Sequence, residues 1–312
     1  MAAAHRSTDR VVAGLRAQLE RSKRFEDTLD LAAAYAAYAR VVRLLAPQLA
    51  DLRRAAGLPA TPPRWARWRA RRSARAYGGI AVPTDRVYTY WNAPVETAPP
   101  LVRACIAQLR RVHPSLRVLD GDSARDLVEI PDRVAALLEH DRPAHFSDYV
   151  RTAVLAEHGG VWVDATAWVD RPLDDELRRC LRAGTVFPRW TRRQIGNWFI
   201  ASHPATPIIA LQRLALDAWW AANDDLPDYF LYHRVFEVLQ VLVPEARGQW
   251  DAVPTLSSTA AHLLQLEMMQ PWRPGVVRQI LDVSPLQKLS YKYDAVPPGS
   301  VLERLLEHGL AD

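Results

Sequence analysis

Cysteine is scarce in this sequence of 312 residues. Only Cys105 and Cys180 occur, far apart and outside any C-x-x-C pairing. This scarcity excludes a disulfide framework and gives no sign of a zinc knuckle. A chain of this length buries a sufficient core without such staples, so we expect it to fold in a reducing compartment.

Long hydrophobic runs are missing as well. The first ten residues contain no apolar segment of signal-peptide length, and the alanine-rich stretch from Leu29 to Leu52 is interrupted by Asp30, Arg40 and Arg43. We therefore expect a cytoplasmic protein that is not secreted and does not span a bilayer.

Three motifs of nucleotide and ester chemistry do not occur in the chain. The missing patterns are G-x-G-x-x-G after a candidate strand, G-x-x-x-x-G-K-[ST] and G-x-S-x-G. Their absence argues against a nucleotide-dependent oxidoreductase, a phosphate-loop enzyme and a serine hydrolase. The net charge of +5 suits an anionic partner, but a nucleotide-sugar, a phospholipid and a nucleic acid all fit that description.

The N-terminal part of the chain has helical character. From Thr8 to about Gly57 the apolar spacing predicts two helices, and Pro59, Pro62 and Pro63 end the pattern. The segment from Arg64 to Tyr77 then combines six arginines with two tryptophans.

On a helical wheel, Trp65 and Trp68 share a broad arc with Ala66, Ala70 and Tyr77, and most of the arginines lie opposite. Such a helix can lie on anionic headgroups, where each basic residue contributes about 1 kcal/mol and tryptophan favours the interface. This interpretation would place the protein at the periphery of the inner face of a membrane. A solvated helix packed on the main domain explains the composition equally well.

Beyond this segment, strands alternate with helices. The predicted strands are Arg86 to Trp91, Leu116 to Leu119, Val161 to Val163, Thr185 to Pro188 and Trp198 to Ala201, and the predicted helices include Leu101 to Val112, Pro207 to Asn223 and Tyr229 to Leu242. This alternation predicts an α/β fold with a single, Rossmann-like, mostly parallel sheet flanked by helices. We expect a helical extension over residues 1–80 and one α/β domain over residues 81–312.

The densest chemistry runs from His145 to Thr166. Asp148 and Arg151 are three residues apart and share a helix face, where a carboxylate and a guanidinium together can bind sugar hydroxyls. Taken alone, a simple ion pair on a surface helix explains them better. Asp164, however, follows a short apolar strand, and the carboxyl ends of strands are where ligands of open α/β sheets collect.

The helix that carries Asp148 has readable limits. Val150, Val154 and Leu155 form an inward stripe, Ser147 or a residue before it can cap the start, and Gly159-Gly160 ends the helix.

Two stretches are specific in combination: A-H-F-S-D-Y-V-R from Ala144 to Arg151 and G-G-V-W-V-D-A-T from Gly159 to Thr166. Together they resemble the capsular polysaccharide synthesis proteins, which are related to the glycosyltransferases with a D-x-D motif in the sugar-binding region (family 32-like, GT-A fold). The resemblance runs from about Val87 to Lys292. Further matching stretches are Tyr90-Trp91, Ala98 to Val102 with Cys105, Asn197 to Ile200 and Gln287 to Lys292.

The resemblance implies a GT-A-type fold and transfer of a sugar from a nucleotide-sugar donor, with retention at the anomeric carbon. It implies that Asp148 and Arg151 hold the donor sugar and that Asp164 begins the D-x-D element. Trp91 would stack on the base, for which an aromatic face offers about 1 to 3 kcal/mol, although a core tryptophan is an equally ordinary explanation.

The same resemblance gives roles to three more polar residues. Asn197 resembles a family position near the reacting sugar, and capping of a turn is its simpler role. Lys288 and Lys292 would lie near the donor phosphates or on a closing C-terminal segment, and a solvated basic face explains them as well. His233 and the pair Asp228-Tyr229 are weaker candidates for the acceptor side.

Thr166 stands where the second acidic residue of D-x-D would be. A carboxylate such as that of Asp164 can bind Mn²⁺ or Mg²⁺ that bridges a diphosphate, but a hydroxyl is a weaker ligand, so the requirement for a divalent cation is in doubt. We select His262 as the additional metal ligand, because related GT-A enzymes often recruit a histidine from the C-terminal region. A lone histidine is more often structural.

We therefore expect a glycosyltransferase that uses a polysaccharide, lipid-linked or small-molecule acceptor and stabilises the diphosphate leaving group electrostatically. No residue stands out as a covalent nucleophile. The alternative is a non-enzymatic adaptor that binds an anionic membrane or nucleic acid through Arg64 to Arg75. That alternative leaves the stretch from His145 to Thr166 without a purpose, so we favour the enzyme and expect no nucleic-acid partner.

Overall fold

The structure, a computed structural model, describes residues 31–74, 85–174, 177, 183–204 and 206–310. The predicted first helix of the extension and the predicted boundary at residue 80 lie outside these ranges, as do Arg75, Tyr77 and Cys180.

Helices dominate the described residues. They are α1 (Leu31–Leu45), α2 (Leu49–Ala55), α3 (Ala66–Ala74), α4 (Pro100–Val112), α5 (Gly121–Arg125), α6 (Asp132–Leu138), α7 (Pro143–His158), α8 (Pro207–Ala222), α9 (Leu231–Leu242), α10 (Pro244–Ala252), α11 (Leu263–Glu267), α12 (Pro274–Val283) and α13 (Val301–His308). The strands are β1 (Val87–Tyr90), β2 (Leu116–Leu119), β3 (Gly160–Val163), β4 (Ala167–Val169), β5 (Thr185–Val186), β6 (Pro188–Arg189), β7 (Phe199–Ser202), β8 (Leu256–Ser257) and β9 (Leu286–Lys288).

The central sheet has five strands in the order β2-β1-β3-β7-β5. β1 pairs in parallel with β2 and β3, whereas β7 pairs antiparallel with both β3 and β5. Four strands therefore run in one direction and β7 runs against them, which confirms the predicted α/β fold with a mostly parallel sheet and is consistent with the GT-A type. Two small sheets, β4-β9 and β6-β8, lie outside it.

Burial on both faces explains why β3 is apolar throughout and why β1 contains a single small polar residue, Thr89. All four residues of each strand are buried, and α7 packs against β3 and β7. A parallel strand covered on both faces has no solvent side, so the run Val161-Trp162-Val163 needs no polar alternation.

The limits of α7 differ from the prediction at one end. The helix begins at Pro143, with Arg142 at the N-cap and no side-chain cap, so Ser147 lies inside the helix and does not cap it. Proline is favoured in the first turn because its missing N–H has no partner there. At the other end, Gly159 follows the last helical residue with φ +65°, as predicted. At Gly160, a Cβ would lie 2.5 Å from the carbonyl oxygen of Arg86, so the close approach of β1 requires glycine.

The described part of the N-terminal extension is packed into the same hydrophobic core as the sheet. Buried residues of α1 and α2 between Ala34 and Leu52 belong to the cluster that contains β1, β3 and β7. Arg53 and Glu245 form a buried ion pair through two hydrogen bonds of 2.8 Å, which joins α2 to α10.

The arginine-rich helix α3 packs on α10, as the solvated-helix alternative predicts. At Gly248 a Cβ would lie 2.2 Å from the carbonyl oxygen of Arg67, so α3 approaches α10 at backbone distance. The helical wheel placed Ala66 on the same arc as the two tryptophans, but the structure shows that their solvent exposure differs. Ala66 is buried, whereas Trp65 and Trp68 are 60% and 55% exposed.

No helix within the described ranges is both long and apolar enough to cross a bilayer.

Candidate active site

A cavity of about 310 Å³ opens where β1 and β3 end. The residues that follow these two strands and the first half of α7 form one part of its wall. The rest comes from the segments before β7 and α9 and from β9 with the chain after it. It is lined by Asp164, which was predicted as a catalytic and metal-binding residue, and by all the residues predicted to bind the donor, namely Trp91, Asp148, Arg151, Thr166, Asn197, Lys288 and Lys292. The sheet therefore brings together residues that are distant in sequence.

Arg151 lies at the centre of the polar network. The residue is only 4% exposed, and its guanidinium donates to the carbonyl oxygen of Ser147 at 3.2 Å, to Ser147 Oγ at 3.0 Å and to the carbonyl oxygen of Asn197. It also faces the ring of Trp162 at 5.3 Å. Because its planar fork is held from several sides, its orientation is fixed before any ligand arrives.

The predicted pair of Asp148 and Arg151 is part of this buried network, so the explanation as a surface ion pair does not hold. Arg151 Nη2 lies 3.4 Å from Asp148 Oδ1 and 3.2 Å from Asp164 Oδ1. Asn197 Nδ2 donates to Asp148 Oδ1 at 2.7 Å, so Asn197 binds both partners.

The two carboxylates have opposite pKa shifts. Burial raises the pKa of Asp148 to about 6, because the loss of solvent outweighs the attraction of Arg151. Burial also acts to raise the pKa of Asp164, but Arg151 and Lys288 together lower it below its ordinary value. Asp164 therefore stays ionised where Asp148 begins to take up a proton.

Lys288 connects β9 to the D-A-T stretch after β3. Its Nζ lies 3.2 Å from Asp164 Oδ2 and also donates to Thr166 Oγ1. The antiparallel pairing of β4 with β9 sets Ala167 opposite Lys288, and the N–H of Leu289 donates to the carbonyl oxygen of Thr166 at 2.9 Å. The backbone pairing thus fixes the position of the Lys288 Cα, from which the side chain extends to Asp164 and Thr166.

Aromatic rings line the cavity beside this charged network. The rings of Trp91 and Tyr291 meet edge to face at 5.6 Å, and both residues line the cavity with the exposed Lys292. Trp91 also packs against the small cluster around α4, so it combines the core role and the cavity role that the sequence left open.

The segment before α9 supplies the opposite rim. Tyr229 is 67% exposed, and its ring meets that of His145 at 5.2 Å. Asp228 accepts hydrogen bonds from the N–H of Phe230 at 2.8 Å and from Arg234 Nε at 2.9 Å, which fixes the segment on α9.

His233 also lines the cavity. Burial and the nearby Arg234 lower the pKa of His233 to about 3, so the imidazole is neutral. Its Nδ1 is buried and has no hydrogen-bond partner among the described residues.

His262 lies outside the set of residues that line the cavity. Its Nδ1 is 2.6 Å from the carbonyl oxygen of Ser258, and its ring packs against Trp190 at 4.5 Å and Trp198 at 5.6 Å. The choice of His262 as a metal ligand remains a prediction, and these contacts favour a structural role.

Sequence reasoning gave no role in the site to two side chains of this network. Ser147 holds Arg151, and the signal was the i,i+4 spacing of the two residues on α7. Trp162 donates from Nε1 to Asp164 Oδ1 at 3.1 Å, and the signal was the i,i+2 spacing along a strand.

The fold and the cavity define an α/β protein with a polar, charged cavity at the carboxyl end of its sheet, the place where open α/β sheets collect ligands. The family model described as "Capsular polysaccharide synthesis protein" matches residues 79–302, so the chain belongs to that family. The match includes the central sheet and every predicted donor-binding residue. Family membership indicates a role in polysaccharide biosynthesis. A search of curated proteins and a search of solved structures gave no match to the chain.

Proposed function

We propose that the protein is a glycosyltransferase that takes a sugar from a nucleotide donor. The observation that supports this proposal is the single hydrogen-bonded network of Asp148, Arg151, Asp164, Asn197 and Lys288 at the end of β3. Such a network offers both acceptors for sugar hydroxyls and cations for a diphosphate.

In the proposed reaction, the bond between the anomeric carbon and the diphosphate oxygen breaks through an oxocarbenium-like transition state. The diphosphate leaves with the electron pair. The oxygen of a hydroxyl on the glycan, lipid-linked or small-molecule acceptor forms the new bond to the anomeric carbon and gives up its proton to the departing diphosphate. Asp148 and Arg151 orient the sugar, and Lys288 and Lys292 face the phosphates.

Retention at the anomeric carbon, which the family resemblance implies, is part of the proposal. Asp164 is not proposed as a nucleophile, because Arg151 and Lys288 hold its two oxygens. Proton NMR of the anomeric signal in the first product tests the stereochemistry, and a product of opposite configuration to the donor sugar would contradict retention.

Calorimetric titration of nucleoside diphosphates and the matching nucleotide-sugars tests the donor site. One nucleotide-sugar should bind saturably, with a dissociation constant between about 1 μM and 1 mM. In Asp148→Ala the nucleotide should still bind, but the added affinity from the sugar should disappear, since the variant removes the sugar acceptor and leaves Lys288 and Lys292 in place for the phosphates. Asp282→Ala, which changes an exposed carboxylate outside the cavity, is the matched control. Absence of binding by every nucleotide would refute the proposal.

We also propose that α3 places the enzyme on an anionic membrane surface. Trp65 and Trp68 point to solvent, and Arg64 and Arg72 lie over their rings at 5.5 and 5.1 Å. Tryptophans next to arginines suit the headgroup region, where the ring enters the interface and the cation meets lipid phosphate. This location would serve a lipid-linked acceptor.

Flotation with vesicles tests this second proposal. The protein should float with vesicles of phosphatidylcholine and phosphatidylglycerol but not with phosphatidylcholine alone, and added salt should weaken the association. Replacing Trp65 and Trp68 with alanine should reduce flotation, whereas Leu266→Ala, at a residue that is also exposed, should not. Equal flotation with neutral vesicles would contradict the proposal.

A further inference from the structure

Asp164 occupies the position from which a D-x-D element binds a divalent cation, but cationic side chains already face both of its carboxylate oxygens. Oδ1 lies 3.2 Å from Arg151 Nη2 and accepts from Trp162 Nε1 at 3.1 Å. Oδ2 lies 3.2 Å from Lys288 Nζ. A divalent cation bonds to carboxylate oxygens at 2.0 to 2.6 Å. At Asp164 it would meet the like charge of Lys288 or Arg151 at close range.

The neighbouring groups do not replace the missing ligands. Thr166 Oγ1 accepts from Lys288, and Asp148 is bound by Asn197 and Arg151. Within the ranges that the structure describes, no group of three or more His, Cys, Asp or Glu side chains is arranged to hold a metal ion. Mn²⁺ and Mg²⁺ prefer several oxygen ligands, so the residues around Asp164 do not fit a divalent cation.

We infer that Lys288 takes the place of the divalent cation, so that the donor diphosphate binds without metal. This inference rests on the proposed glycosyltransferase function. An ammonium group has three N–H donors, of which Asp164 and Thr166 use two, so one remains for a phosphate oxygen. The β4–β9 pairing fixes the lysine backbone, and Asp164 and Thr166 fix its ammonium group before the donor arrives.

The charges of the cavity support this role. Two carboxylates, Asp148 and Asp164, are opposed by three cations, Arg151, Lys288 and Lys292. The cavity therefore has a positive excess without any metal, as a diphosphate requires. When the anomeric bond breaks, the charge that develops on the leaving phosphate oxygen is stabilised by Lys288, which keeps its proton throughout.

Calorimetric titration of UDP, GDP, ADP, CDP and dTDP, once with EDTA and once with Mn²⁺, tests the inference. The nucleotide that binds wild type should do so with dissociation constants that agree within about twofold in the two buffers. Lys288→Ala should weaken binding by roughly tenfold or more in both buffers, because a charge-assisted hydrogen bond is lost. Lys288→Arg, which keeps the charge, should retain most of the affinity.

Two further variants separate a binding effect from a folding defect. Lys288→Met keeps the aliphatic stem and should behave like Lys288→Ala, and circular dichroism checks that each variant is folded. Arg110→Ala removes an exposed cation outside the cavity and should bind like wild type. Electron paramagnetic resonance of Mn²⁺ should show no tight site in the protein without nucleotide.

Three results would overturn the inference. Binding of the nucleotide only with Mn²⁺, or at least tenfold more tightly with it, would show that a metal site exists. Unchanged affinity of a folded Lys288→Ala in EDTA would show that the lysine does not contact the diphosphate. Both results leave the glycosyltransferase proposal standing, whereas absence of binding by every nucleotide in both buffers would refute it together with the inference.

Discussion

At the scale of single residues, Asp148 and Asp164 have the same carboxyl group in different surroundings. Asp164 is held by Arg151 and Lys288, and its pKa lies below the ordinary value. Asp148 is mainly desolvated, and burial raises its pKa to about 6. Environment thus makes one carboxylate a constant anchor and the other a group that titrates close to neutral pH.

We predict that the sugar-dependent part of donor binding weakens as the pH falls through about 6. Asp148 takes up a proton there and loses acceptor capacity for a sugar hydroxyl, so the affinity ratio of nucleotide-sugar to nucleotide should fall by up to about tenfold per pH unit below 6. Titration calorimetry between pH 8 and pH 5 measures this ratio.

Asp148→Asn provides the control, because an amide does not titrate in this range. The variant should have a low ratio that does not change with pH. A wild-type ratio that stays constant from pH 8 to pH 5 would contradict the assignment of Asp148 to the sugar.

At the scale of an element, the packing of α3 on α10 depends on a glycine of α10, because a side chain there would prevent the close approach of the two helices. Gly248 on α10 lets the backbone of Arg67 approach, while Trp68 on α3 and Trp65 just before the helix are exposed. The orientation of the proposed membrane surface therefore depends on packing at α10.

We predict that Gly248→Ala destabilises the protein by about 1 to 3 kcal/mol, because the new methyl group overlaps backbone atoms of α3. Gly275→Ala is the matched control: a Cβ there meets no atom within 4 Å, and alanine favours the helical state by up to about 1 kcal/mol. Urea denaturation of the two variants measures the difference. Equal stability would show that α3 does not need this close approach.

At the scale of the whole molecule, the described N-terminal helices and the sheet share one core, and the buried pair of Arg53 and Glu245 links α2 to α10. Elements that share a core unfold together, so the extension from α1 to α2 should not behave as a separate unit.

We predict that Arg53→Leu lowers the stability of one cooperative transition by about 3 to 5 kcal/mol, because the charge of Glu245 is left buried without a partner. The double variant Arg53→Leu with Glu245→Leu should recover most of that loss, since no buried charge remains. Differential scanning calorimetry measures both. A separate low-temperature transition in Arg53→Leu would contradict the shared core.

Local sequence patterns were sufficient for the elements around the site. The apolar run Val161–Val163 predicted a buried strand and put Asp164 at its carboxyl end, because side-chain burial sets the pattern of a parallel strand. The helical spacing on α7 likewise predicted that Asp148 and Arg151 share a face, because that geometry is local. The start of α7 was predicted less well, since a proline at the first position replaced the expected side-chain cap.

The sequence by itself thus determined the α/β class and the main strands, because neighbouring residues fix these features, and the family resemblance pointed to most of the residues that line the cavity. Only the tertiary structure decided which charges meet. Lys288 reaches Thr166 across 122 positions, and Asn197 reaches Asp148 across 49. It also decided that Trp65 and Trp68 face solvent. The spacing of apolar residues shows which side chains share a face of a helix, but it does not show which face packs on another element.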